Sequence, residues 1–300
     1  MTPAGAVVGD LEVAVPPMRS APRLRSVTRR FTRDRAAMAG AAMFVLMVGL
    51  ILAAPWLGLA DPVDADAPNR LASPSGDHPL GTDMLGRDEA SRLLHGGRAS
   101  VMMAITATAG ISLLGIVVGV TSGMLGGLVD ALIMRVVDVI QAVPTLMVAL
   151  VAIGVLGPGA DKLVIVFVFV GWPAYARVVR GSTLSLRERV FVDAARALGA
   201  SKPRIIVCHI IPNLVGPITV LTTLDLGRIL LGISALSFLG FGVQPPEPEW
   251  GRMLADARTY FFLAPHLLIY PGAAISLLVL AVNLCGDGLR DALDVKMVAP

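Results

Sequence analysis

Four polar residues interrupt otherwise apolar stretches and are the first candidates for chemistry. Asp138 and Gln141 lie one helical turn apart, and so do Asp225 and Arg228. An ionisable group surrounded by hydrocarbon is costly, so such residues mark either a structural pair or the polar lining of a water-filled path. For Asp225 and Arg228 both readings stand: mutual neutralisation inside a helix bundle, or a surface met by a passing solute. Asn283 suits an interhelix hydrogen bond. Acidic and histidine groups do not recur through several apolar stretches, which leaves no proton relay.

A second polar group, His78, Asp83, Asp88, Glu89 and His95, contains metal-ligating side chains. Their spacing fits no recognised ligand motif, so a capped turn opening an interfacial helix is expected and no metal site. The chain has no GxxxxGK[ST] phosphate loop, no HExxH and no nucleophile elbow, so neither catalysis nor nucleotide binding is expected in it. Cys208 and Cys285 are the only cysteines and read as free thiols. A net charge of +3, with arginines between apolar blocks and no aromatic-basic stripe, argues against nucleic-acid binding.

These residues must be positioned by membrane helices. The 300 residues are 55% hydrophobic and 16% charged, with a mean hydropathy of +0.74. A soluble domain carries about 25% charged residues. The apolar residues fall into six blocks of roughly 20 residues, the length that crosses the hydrocarbon core: 36–59, 100–122, 136–156, 163–179, 214–239 and 267–285. The expected architecture is therefore an all-α membrane protein of six spans over residues 36–290. The first span is expected to stay as an uncleaved anchor. Residues 1–35 are expected to form a disordered basic tail and 291–300 a short second tail. Gly115 and Gly119 form a GxxxG pair suited to close helix packing.

Arginine and lysine counts orient the spans. Placing the amino end inside puts seven arginines of the tail (Arg19, Arg23, Arg25, Arg29, Arg30, Arg33, Arg35) and the charges around residues 177–204 on the inner side. That asymmetry predicts cytoplasmic termini. Trp250 and Tyr260, in a proline-rich outer segment, are expected to anchor at the headgroups.

The longest inner polar interval in the second half is VDAARALGASKPRIIVCHIIPN, residues 192–213. Asp193 is expected to cap a short helix running through Ala194, Ala195 and Ala197. Gly199 permits a left-handed exit, and Ser201 caps a second short helix with Pro203 in its first turn. Pro212 closes the interval before the next apolar run. A short helix with a small-residue face, held between spans, suits the groove of another protein.

That interval resembles the EAA motif of bacterial ABC importer permeases, EAA-x3-G-x9-I-x-L-P. Here it reads Asp193-Ala194-Ala195, three residues, Gly199, nine residues, His209-Ile210-Ile211-Pro212. HPLGTDMLGRDEASRLLHGGR, ALGASKPRIIVCHIIPN, LSFLGFGVQPPEPEWGRML and NLCGDGLRDALD are similar to the C-type permeases of the peptide/nickel branch, and the likeness runs from about residue 30 to 295. The resemblance implies a type I ABC importer permease fold. It implies a cytoplasmic coupling helix whose Asp193, Ala194, Ala195, Leu198, Gly199, Ala200, Ser201 and Pro212 dock on an ATPase. The implied partners are a B-type permease in a heterodimer, two ABC ATPase subunits that bind ATP and Mg, and an extracytoplasmic binding protein; the implied location of the chain is the bacterial inner membrane. The implied cargo is a di- or oligopeptide, with nickel, an opine or glutathione as alternatives; a stand-alone secondary transporter is the alternative of another class. Asp193 stands for the usual Glu, His209 and Ile211 depart from the general motif, and Arg228 and Ile233 replace a small and an acidic residue.

Overall fold

Short polar side chains set where the long helices begin. In the computed structural model, which describes residues 24–293, Asp34 accepts from the N–H groups of Ala36 (2.8 Å) and Ala37 (3.3 Å) and opens α2 (Arg35–Ala53). A 3-10 turn over Ala54–Trp56, with Pro55 in it, ends this element. Asp88 accepts from Ser91 N–H at 2.7 Å and opens α3 (Glu89–Leu125). The capped turn expected near residue 88 is present, but it starts the span itself instead of a separate interfacial helix. Before α2 lies α1 (Leu24–Phe31), a helix where an unstructured tail was expected; Phe31 and Ala37 pack beside Gly288 of the last helix. Residues 1–23 and 294–300, the rest of the two expected tails, lie outside the described residues.

After α3, Gly126 at φ +66° turns the chain into α4 (Gly127–Gln141). The third apolar block was expected as one span over 136–156. It is instead broken: α5 (Thr145–Leu156) follows α4 at an angle of 85°. Pro144 sits in the break, where it offers no N–H and disfavours a helical conformation at Val143. The remaining elements are α6 (Ala160–Arg187), α7 (Val190–Ala197), α8 (Lys202–Ile205), α9 (Ile211–Phe238), α10 (Trp250–Ala257) and α11 (His266–Leu293). There is no β-strand among the described residues, only an isolated bridge between Thr82 and Asp88. Five stretches are long and apolar enough to cross a membrane: Arg35–Trp56, Glu89–Leu125, Ala160–Arg187, Lys202–Phe238 and His266–Leu293; the bent α4–α5 pair makes six. The second, fourth and fifth run well beyond the expected 100–122, 163–179 and 214–239. Their polar extensions are held by caps and by packing, which hydropathy alone does not register.

Close approach of α3 and α6 organises the bundle. A Cβ on Gly119 would stand 2.6 Å from the Ala176 carbonyl oxygen, and one on Gly123 would stand 2.8 Å from Thr183 Cβ. Gly115 packs against Tyr175 and Trp172. The expected GxxxG contact is thus present and continues one turn further, letting backbones touch where lipid supplies no hydrophobic drive. Around this seam Ile111, Ile153, Leu163, Phe167 and Ile233 form the main core, with Ile233 completely buried. A second core joins Ile51, Val101, Leu230, Trp250 and Leu278. Trp250 is therefore not a headgroup anchor: it is buried, and its indole N–H donates to the Leu93 carbonyl at 2.8 Å.

Candidate functional site

The polar interval folds as two short helices between the end of α6 and the start of α9. α7 starts at Val190, capped by Arg189 without a side-chain bond, so Asp193 is not its cap. Burial explains the earlier start: Val192 and Ala195 insert among Val120 of α3, Val179 of α6, Ile205 of α8, Ile210 and, from α9, Leu214. Asp193 instead occupies the outer face and pairs with Arg196 at 2.9 Å. Val190 and Leu198 flank that pair, 80% and 88% exposed. The helix thus has an inner face anchored on three long helices and an outer face with two apolar ends around an ion pair.

Its exit is a Schellman turn. Gly199 N–H donates to the Arg196 carbonyl at 2.9 Å and Ala200 N–H to the Ala195 carbonyl at 3.0 Å. This geometry needs a left-handed residue, and Gly199 has φ +82° as expected. Ser201 stands at the cap position of α8, with Pro203 in the first turn, but its hydroxyl makes no capping bond. Pro212 does not close the interval. It lies in the first turn of α9, and the chain runs helically from Lys202 to Phe238 through a π-turn at Ile206–Ile210. There Ile211 N–H donates to the Ile206 carbonyl, and Asn213 Nδ2 donates to the His209 carbonyl at 2.7 Å. The wider turn accommodates a proline that has no N–H and crowds the carbonyl four residues back. Ala194 and Ala200 complete the interval, Ala200 partly packed beneath α7.

The polar residues within the spans do not form one constellation. Asp138 of α4 is joined to Arg177 of α6 at 2.6 Å, and this pair is half exposed on the surface of the chain. Gln141 ends the same half-helix at the bend, also exposed. Asp225 and Arg228 of α9 approach no closer than 3.8 Å. No hydrogen bond or ion pair links the two sets among the described residues.

The group from His78 to His95 is held by hydrogen bonds and ion pairs within the protein. Asp83 accepts from the N–H groups of Leu85 (2.8 Å) and Arg87 (3.0 Å) and from Arg87 Nε at 2.6 Å; Arg92 Nε lies 3.4 Å away. His78 Nδ1 meets Asp88 at 3.0 Å, His95 Nδ1 lies 2.9 Å from the Ser91 carbonyl, and Glu89 is buried.

Two polar knots escaped the sequence reading. Asp130 of α4 takes a forked bond from Arg180 of α6, with Nη2 at 2.6 Å, and a further bond from Ser122. Beside it Arg187 Nη1 donates to the Gly123 carbonyl at 2.9 Å. Glu249 caps α10 and is completely buried, accepting from Ser100 Oγ, Gly251 N–H and Arg252 N–H, each at 2.9 Å. Burial raises its pKa above the usual carboxylate range. The signals were faint: an aspartate just past Gly126-Gly127, and a glutamate before an apparent surface tryptophan.

Comparison with known proteins places this geometry in context. Residues 115–299 match the family described as binding-protein-dependent transport system inner membrane component, and residues 23–74 match the N-terminal TM domain of oligopeptide transport permease C. A dipeptide transport system permease protein of Alkalihalophilus pseudofirmus is 38% identical over 288 residues, covering 96% of this chain and 93% of that protein. A glutathione transport system permease protein of Pectobacterium atrosepticum is 42% identical over 281 residues, covering 91% of each. Among solved structures, the MetNI methionine ABC transporter superposes with a TM-score of 0.54 at 17% identity, covering 67% of this chain and 96% of that one.

Proposed function

Because the chain belongs to the family of binding-protein-dependent transport system inner membrane components, the permeases of ABC importers, we propose that it is the C-type permease subunit of an ATP-driven importer of di- and oligopeptides. It is a transport component without catalysis of its own. In this reading residues 36–290 form half of the translocation path, a B-type permease forms the other half, and both termini are cytoplasmic. Two ATPase subunits hold ATP and Mg, and an extracytoplasmic binding protein delivers the peptide.

The observation that carries the proposal is α7. Its inner face is buried against α3, α6 and the start of α9, while Val190, Asp193, Arg196 and Leu198 point outward without covering protein. An exposed apolar residue beside a charge pair is the composition of a docking knob. Pressure on that outer face passes through Val192 and Ala195 to Val179 and Leu214, hence to two long helices at once. Closure of the ATPase pair would then tilt α6 and α9 together, exchanging outward- and inward-open states as rigid bodies.

Reconstitution tests this. The chain, a B-type permease, the two ATPases and the binding protein from the same source are placed in proteoliposomes with labelled dialanine. Uptake that requires ATP and every subunit is expected. Uptake driven by an ion gradient without the ATPases would refute the proposal. The glutathione permease relative supports a second cargo, itself a tripeptide, and competition between dialanine and glutathione separates the two.

A further inference from the structure

Arg228 lies deep within α9. At a rise of about 1.5 Å per residue it stands roughly 15 Å from the outer end of the helix at Phe238 and roughly 25 Å from Ile211. Neither end is within reach of its side chain, so it cannot place its charge among headgroups as a terminal arginine does. Its side chain is 75% exposed, whereas that of Asp225, one turn before it, is only 19% exposed. Asp225 sits beside the buried hydroxyl of Tyr175 of α6. The 3.8 Å that separates the two charges is too long for a hydrogen bond.

The expected neutral pair is therefore lopsided, with the acid tucked in and the base held out. Arg177 and Arg180, by contrast, are closed at 2.6 Å on Asp138 and Asp130. Arg228 makes no hydrogen bond to any described residue, and its guanidinium carries donors in a planar fork that matches a carboxylate. Hydrocarbon offers those donors nothing, so this face of α9 borders water or another protein.

Resting on the permease reading above, we propose that Arg228 is the residue that receives the carboxylate of the substrate as it crosses the membrane. The forked contact orients the passing solute by its acid end, and the nearby Asp225 keeps the arginine from holding it too tightly. Amidated or esterified analogues lack the group Arg228 engages.

The test uses the assembled importer with Cys208 and Cys285 replaced by Ser and a single reporter, Leu231→Cys, one turn beyond Arg228 on an exposed position. Labelling rates are measured with an anionic sulfonate thiosulfonate reagent and a cationic trimethylammonium one. The proposal expects the anionic reagent to react at least tenfold faster, and this preference to vanish with Arg228→Ala and to persist with Arg228→Lys. Millimolar dialanine is expected to slow the anionic reaction, and dialanine amide is not. No labelling by either reagent, a charge preference that survives Arg228→Ala, or equal protection by acid and amide would overturn it. ATP-driven uptake by the unlabelled wild-type importer is measured alongside, so a failed permease reading is told apart from a failed role for Arg228.

Discussion

The N–H of Ala200 donates to the carbonyl of Ala195 across 3.0 Å, so the chain leaving α7 folds back over its last turn. That bond exists only while Gly199, between them, stays left-handed at φ +82°. A Cβ at position 199 would meet nothing within 4 Å, so any penalty for a side chain is backbone strain instead of collision. Gly199→Val is expected to cost about 1–3 kcal/mol locally, to leave the protein in the membrane and to reduce ATPase association and uptake. Gly199→Asn, a residue that tolerates this region, is expected to retain most of both. Similar behaviour of the two variants in co-purification would argue against the turn as the controlling feature.

The α3–α6 seam predicts a contrast between glycines. Gly119→Ala places a methyl 2.6 Å from the Ala176 carbonyl oxygen and is expected to destabilise by about 1–3 kcal/mol. Gly154→Ala meets no atom within 4 Å and is expected to change stability by less than about 1 kcal/mol. Thermal unfolding of the purified protein in detergent reads the difference.

Asp130 and Arg180 tie the first turn of α4 to the C-terminal part of α6 through two bonds to one carboxylate. A double-mutant cycle with Asp130→Asn and Arg180→Gln is expected to return a coupling of about 1–3 kcal/mol. Additive losses would mean that the fork contributes no specific energy.

Glu249 gives a pH dependence with a defined sign. Its folded-state pKa lies above the unfolded value because burial disfavours the carboxylate, against the opposing bonds from Gly251, Ser100 and Arg252. In the window from the ordinary glutamate range upward, the folded state then holds more protons than the unfolded one. Stability contributed by this group is complete below that window and falls as pH rises through it. Thermal midpoints are expected to show this decline, and Glu249→Gln is expected to lower stability overall while flattening the slope. An unchanged slope in the variant would assign the dependence elsewhere.

Much of the fold was legible because it rests on local rules. Six apolar blocks mark the spans, Gly115 and Gly119 mark a close helix contact, and Gly199 marks a left-handed stop. What sequence did not disclose depended on tertiary contacts. α7 begins at Val190 because Val192 is buried, which moves Asp193 from cap to outer face. Trp250 reads as an interface anchor until its indole is found bonded to Leu93. Asp130 and Arg180 are 50 positions apart, and nothing local pairs them. Asp225 and Arg228 were visible as a pair, but their unequal exposure follows from how α9 packs on α6.

The proposed function stands on docking of the outward face of α7 against an ATPase. Leu198 is 88% exposed, so Leu198→Asp should leave folding intact. The decisive measurement is co-purification of ATPase and second permease with tagged wild-type and Leu198→Asp chains from membranes containing the whole importer. The variant is expected to keep the second permease, to lose at least tenfold of the bound ATPase and no longer to support ATP-driven uptake. Wild-type ATPase recovery together with wild-type uptake would contradict it.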